Sequence, residues 1–201
     1  MPRSKNDLLN RGVRRVDRFM RARLGVWEIA DDSVCFYRLA TKRAPYALTL
    51  ADGSRVGAGD PVAILHLWGE RIPALPAKGA DLAWAKQSYR VLMHSLRAVA
   101  REMQVNPLLA DAVAVGNEFS FAYNVGSANM FERIGFTLIQ PSQRGLLDRL
   151  KHRAGRLWTR LLRRAYNEPS LRAASTPEYD TVSLWMSRAE LLKRYGTRTD
   201  S

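Results

Sequence analysis

Between Asp60-Pro61 and Gly69 the chain reads Val62-Ala63-Ile64-Leu65-His66-Leu67-Trp68, an apolar run rich in strand formers and bounded by turn residues. Val62, Ile64, His66 and Trp68 would share one face of such a strand, and Ala63, Leu65 and Leu67 the other, so both faces need cover. A loop rich in glycine and proline (Gly69 to Gly79) follows, and then Asp81 opens a long helical pattern. In it Leu82, Ala85, Tyr89, Leu92, Leu96, Val99 and Met103 recur at steps of three and four. After Asn106-Pro107 comes a second apolar run, Ala112 to Gly116. Strand, helix, strand in that order is a βαβ unit, whose two strands run parallel. The expected fold class is therefore α/β (α+β), with a mixed, partly parallel sheet flanked by helices.

The remaining elements arrange themselves around this unit. Val34 to Leu39 and Tyr46 to Leu50 read as strands, and Asp52-Gly53 favours a tight hairpin turn into Arg55-Val56. Gly57 to Pro61 reads as a turn rather than a phosphate cradle, because no helix and no Lys-Ser/Thr follows it. Asn117 to Asn124 is a polar-aromatic segment, Gly126-Ser127 opens a short helix through Arg133, and Gly135-Phe136 begins a strand that ends at Pro141. Thr181 to Met186 is a last strand, and Ser187 with Glu190 forms a capping box for a final helix ending at Gly196. The expected division is a basic helix over 1–25, one domain over 26–196 with a helical insertion at 143–180, and a tail from 197.

The net charge of +13 is concentrated in two places. Arg3 to Arg23 holds eight Lys/Arg against two Asp, and Arg144 to Arg164 holds eight against one. The rest of the chain is balanced, so a neutral body carries two basic arms. The first arm is a helix capped by Asn6 or Asp7, with Leu8, Leu9, Val13, Val16, Phe19, Met20 and Leu24 at helical spacing. The second, Gln143 to Tyr166, sets Trp158 and a line of leucines against Arg149, Arg153, Arg156, Arg160, Arg163 and Arg164. Basic amphipathic helices of this kind lie in the headgroup region of anionic membranes, which makes such a surface the expected partner. The competing expectation is that both helices lay their apolar faces on the sheet and leave the arginines solvated. Nucleic acid ranks third: a pI near 10.5 allows it, but no helix-turn-helix, zinc-ligand or RNA-binding motif is present.

Several chemistries are excluded. The single cysteine, Cys35, rules out an internal disulfide and reads as a small buried hydrophobe. His66, His94 and His152 show no metal-ligand spacing, and no serine elbow occurs. No window reaches the ~18 apolar residues of a spanning helix, and no secretory signal is visible. A cytoplasmic location is expected, with peripheral attachment to the inner membrane. His66 is the best-placed titratable group, near the C-terminal end of the central strand, where ligands of parallel sheets bind. Glu70 is a second candidate base. Trp68, Arg71, Asn117, Ser120, Tyr123, Asn124 and Ser127 are candidates to line the same cleft, the alternative being that they satisfy loop backbone.

Two resemblances add to this reading. Ala128-Asn129-Met130-Phe131-Glu132-Arg133-Ile134-Gly135-Phe136 resembles the helix-to-strand passage of the GNAT superfamily of acyl-CoA N-acyltransferases. More closely, the chain resembles the YkoP-like family, found alone or attached to bacterial polysaccharide deacetylases. The residues carrying this are Leu50 to Ser54, Gly59-Asp60, Ile64 to Leu67, Gly135-Phe136, Trp185 to Arg188, Leu191-Leu192 and Tyr195-Gly196. The family resemblance implies a GNAT-like fold without an assigned reaction. Against acetyl-CoA chemistry, the connection from Gly69 to Asp81 lacks the Gly-rich pyrophosphate turn that GNAT enzymes use, and the phenol that often protonates the thiolate falls at Phe131. The expected function is an accessory or binding domain at the cytoplasmic membrane surface, linked to envelope lipid or polysaccharide metabolism. The alternative is an acyltransferase that takes acyl-CoA as cofactor in an atypical site, with His66 or Glu70 as base.

Overall fold

The structure, a computed structural model, describes residues 5–29, 34–74, 76, 78–121, 125–139, 154–155, 157–158, 161–162, 164–165 and 180–197. Its elements are α1 (Lys5–Arg23), β1 (Trp27–Glu28), β2 (Tyr37–Arg43), β3 (Leu48–Thr49), β4 (Arg55–Val56), β5 (Pro61–Leu67), α2 (Leu82–Val105), β6 (Ala114–Phe121), α3 (Val125–Arg133), β7 (Thr137–Ile139), β8 (Asp180–Ser187) and α4 (Arg188–Tyr195). Six strands form one mixed sheet in the order β1-β2-β5-β6-β8-β7, and β3 with β4 makes a separate hairpin.

The βαβ unit is β5-α2-β6, and β5 lies inside the sheet as its two apolar faces require. Ala63 and Leu65 join the larger core, where Leu39, Val115, Leu184, Met186 and Phe136 meet Leu92, Leu96, Val99 and Met103 of α2. Leu82 and Tyr89, on the same predicted helix stripe, are 71% and 49% exposed, so only the later turns of α2 bury that stripe. The Asp81 carboxylate caps α2 by accepting from the Trp84 N–H at 2.7 Å. On the opposite face, Val62, Ile64, Ala114 and Trp185 are covered by Leu48, Leu50 and Val56 from the β3–β4 hairpin. Gly116 makes room for this second layer. A Cβ there would stand 2.5 Å from Cε3 of Trp185 and clash with the Leu184 carbonyl.

β1 is a strand the sequence reading did not offer, β3 and β7 are shorter than expected, and two strands extend well beyond their expected ends. β2 begins at Tyr37 and runs through the polar Thr41-Lys42-Arg43, because those residues pair with Ala63, Val62 and Pro61. β6 continues to Phe121, so the polar-aromatic segment up to that residue is strand, held residue by residue against β8 from Asn117↔Leu184 to Phe121↔Asp180. The capping box at α4 is half formed. Ser187 Oγ accepts from the Glu190 N–H at 2.9 Å, while the Glu190 carboxylate pairs with Arg194 one turn on.

Several residues that carry the family resemblance are tie points. Ser187 Oγ also donates to Asp52, joining the hairpin turn to β8. Arg188 reaches the carbonyls of Leu109 (2.6 Å), Ala112 (3.4 Å) and Met103. Tyr195 donates its hydroxyl to the Ile134 carbonyl at 2.8 Å. Gly135 takes a left-handed φ of 98° with Arg194 lying over it.

Candidate functional site

The two parallel strands separate. β5 and β6 pair only over Val62–Ile64 and Ala114–Gly116. Beyond that point β5 bonds outward to β2 as far as Leu67, and β6 bonds outward to β8 as far as Phe121. A fork therefore opens between their C-terminal halves. At its apex the Asn117 side-chain N–H donates to the Leu65 carbonyl, satisfying a backbone acceptor that the diverging strand leaves behind.

His66 lies on the β5 side of the fork, opposite Arg38 of β2 in antiparallel register. Arg38 is 4% exposed. Its Nε (3.2 Å) and Nη2 (3.0 Å) both donate to the same Glu28 oxygen from β1. Its guanidinium also lies 3.9 Å from the ring centroid of Trp68, and that of Arg71 lies 3.3 Å from it. Arg71 is anchored by a 3.0 Å donation to the Cys35 carbonyl. The short 3₁₀ turn Gly69–Arg71 thus folds back onto the end of β5 rather than opening into a loop. Glu70 of that turn is exposed, and its charge reaches Arg38.

α1 lies over this end of the sheet with its polar line inward. Asn10, Arg14, Asp17 and Arg21 recur at steps of four, three and four; Asn10, Asp17 and Arg21 are half-buried, and Arg14 and Arg21 reach groups outside the helix. Arg21 meets Asp17 at 3.1 Å and Glu28 at 3.8 Å. Arg14 Nε donates to the Ala165 carbonyl at 3.0 Å, so the two basic segments touch. Asn10 Oδ1 is buried without a hydrogen-bond partner. The apolar stripe points away from the body: Val16 is 49%, Phe19 63%, Met20 43% and Leu24 42% exposed, and of the side chains described only Val13 is buried. The expectation that this helix packs its apolar face on the sheet is therefore corrected. Its inward side is occupied by an ion chain running from Asp17 through Arg21 and Glu28 to Arg38.

Burial, reinforced by Lys42 and Arg38 and opposed by Asp17, holds His66 down at about 4. The imidazole is neutral at neutral pH, and its Nε2 is buried with no hydrogen-bond partner. Burial and then Arg21 also lower Arg38, with Glu28 opposing, but a guanidinium stays charged. A neutral imidazole beside a fixed cation is a weak proton acceptor and a good hydrogen-bonding group. No cluster able to hold a metal ion occurs among the described residues.

Of the residues singled out from sequence, the structure brings together His66, Trp68, Glu70 and Arg71, with Asn117 at the apex of the fork. Ser120 lies farther along β6, opposite Thr181, and Ser127 lies in the first turn of α3. Tyr123, Asn124, Arg149, Arg153, Arg156, Arg160 and Arg163 lie outside the described residues, as does most of the predicted insertion. The described residues between 154 and 165 are helical, with Trp158 half-buried, Leu157 60% exposed and Arg164 exposed. Sequence reasoning missed Arg38, Glu28, Asp17 and Arg21. The available signal was an arginine enclosed by Cys35-Phe36-Tyr37 and Leu39-Ala40 in an otherwise apolar strand.

Fold and site together define an α/β domain with a mixed six-stranded sheet, a forked parallel pair at its centre and a basic helix laid over the fork's β5 side. The chain belongs to the YkoP domain family, whose sequence profile matches residues 13–195. That match opens inside α1 and takes in Arg14, Asp17 and Arg21. No curated protein and no solved structure gives a significant match.

Proposed function

We propose that this YkoP-domain protein is an accessory binding domain that sits on an anionic membrane surface through the outward stripe of α1, at the cytoplasmic face and in the service of envelope lipid or polysaccharide metabolism. The observation that carries the reading is the 63% exposure of Phe19 within a stripe of Val16, Met20 and Leu24, flanked by Arg15, Arg18 and Arg23. Inserting four such side chains at the headgroup boundary contributes roughly 1 kcal/mol or more each, and each nearby arginine about 1 kcal/mol on an anionic leaflet. No helix among the described residues is long and apolar enough to cross a membrane, so the contact is one of lying on the surface. Leu157, on the helical stretch that Arg14 grips, adds a further exposed apolar side chain. The test is flotation with phosphatidylglycerol and phosphatidylcholine vesicles. Binding to the first at low salt, abolished by Phe19→Glu with Met20→Glu, supports the reading; protein left unbound on phosphatidylglycerol refutes it.

The second reading, a GNAT-like acyltransferase with acyl-CoA as cofactor, is favoured by one observation, the fork between β5 and β6. Against it stand the Asp81 carboxylate at the start of α2, where an anionic cofactor would need bare amides, and the neutral His66 as a weak base. Phe131 turns its ring edge-on to Phe136 at 6.2 Å and supplies no hydroxyl. A rise in melting temperature with acyl-CoA of any chain length would favour this reading.

A further inference from the structure

We infer that His66 and Arg38, beneath α1 and beside the fork, form a binding site for a phosphate group. Three observations converge on it. The first is the buried Nε2 of His66, which has no hydrogen-bond partner. An orphaned buried polar atom is costly, and among the family-like motif residues traced above His66 shares this state only with Trp185, whose Nε1 is also buried without a partner. The second is the guanidinium of Arg38. Nε and Nη2 are both committed to one oxygen of Glu28, which fixes the plane of the group and leaves Nη1 without a hydrogen bond among the described residues. The third is register. Arg38 and His66 are directly opposed on adjacent antiparallel strands, on the face that α1 covers, which sets their Cβ atoms about 5 Å apart. One tetrahedral oxyanion spans such a pair, accepting from Nη1 of Arg38 and from Nε2–H of the neutral imidazole. Lys42, four residues farther along the same face of β2, adds a second positive charge close enough to act on His66.

Of the three acidic groups nearby, two are committed elsewhere and the third, Glu70, whose charge reaches Arg38, is exposed on the 3₁₀ turn. Glu28 is spent on the far edge of Arg38, and Asp17 pairs with Arg21. Trp68 and Arg71 close the side toward the 3₁₀ turn. A small soluble monoester and the headgroup of a lipid both present the same phosphate oxygens. The site does not depend on α1 meeting a bilayer, so it stands or falls separately from the membrane reading.

The experiment follows the three histidine side chains of the full chain by NMR while inorganic phosphate, glycerol 1-phosphate or phosphatidylglycerol vesicles are added. The expected result is a saturable change at His66 alone, with its titration midpoint moving up from about 4 toward the ordinary histidine range as the bound anion favours the imidazolium. Saturation by the soluble esters identifies a free phosphorylated ligand, and saturation by vesicles alone identifies a headgroup; both support the site. Lys42→Gln, at an exposed position, should fold normally and bind roughly threefold more weakly. Arg38→Lys keeps the charge but loses the planar fork, and should bind about tenfold more weakly. No change at His66 with any of the three probes overturns the inference, and so does an equal response at His66, His94 and His152, which marks diffuse surface binding.

Discussion

Arg38 of β2 and His66 of β5 stand opposite one another across an antiparallel pair, and the charge of the first adds to burial and Lys42 in keeping the second neutral. The buried guanidinium is held by Glu28 and by the face of Trp68, and its charge helps keep the neighbouring imidazole unprotonated. α1 closes over both with Asp17 and Arg21, which is why the helix turns its polar line inward.

Acid should destabilise the fold through His66. The unfolded chain takes up this proton near 6.5, whereas the folded chain does so only at about 4. The unfolded state therefore binds more protons throughout that window, and stability falls as pH drops through it, by about 3 kcal/mol at the lower end. Urea midpoints at several pH values should show this loss in the native chain and a shallower one in His66→Gln. Equal slopes would contradict the neutral imidazole.

Arg188 is expected to matter for stability more than its place at the start of a short helix suggests. It gathers the carbonyls of Leu109, Ala112 and Met103, which close the passage from α2 to β6. Arg188→Ala should cost about 3 kcal/mol in urea unfolding, since three buried acceptors lose a charged donor at once. A change below about 0.5 kcal/mol would mean that those carbonyls find other partners.

Gly116→Ala should cost about 3 kcal/mol, because its methyl would enter the space of the Trp185 indole. Thermal unfolding of the variant tests this, and a red-shifted indole emission would report Trp185 pushed toward water. An unchanged melting temperature would show that the second layer is looser than its burial indicates.

The β5-α2-β6 unit was legible because its signals are local: alternation along β5, and the spacing of Leu92, Leu96, Val99 and Met103. The far half of β6 was not. Asn117, Glu118 and Ser120 interrupt the apolar pattern, and only pairing with the distant β8 makes them a strand. His66, Trp68, Glu70 and Arg71 could be placed near one another because they are neighbours in the chain. Arg38 and Glu28 could not, since register across three strands decides their meeting. The orientation of α1 was equally hidden. Helical spacing reveals a polar line and an apolar stripe, but which one faces the protein depends on ion partners elsewhere.

That orientation is the central claim, and a single cysteine label tests it most directly. Cys35 is buried and is the protein's only cysteine, so Phe19→Cys carries an environment-sensitive dye at one accessible position, and Asp17→Cys provides the inward comparison. At position 19 the dye should couple readily, read as water-exposed in the free protein, and shift to the blue on phosphatidylglycerol vesicles; at position 17 it should couple slowly and report little change. A label at 19 that is shielded in the free protein, or that stays in water when vesicles are added, contradicts the account.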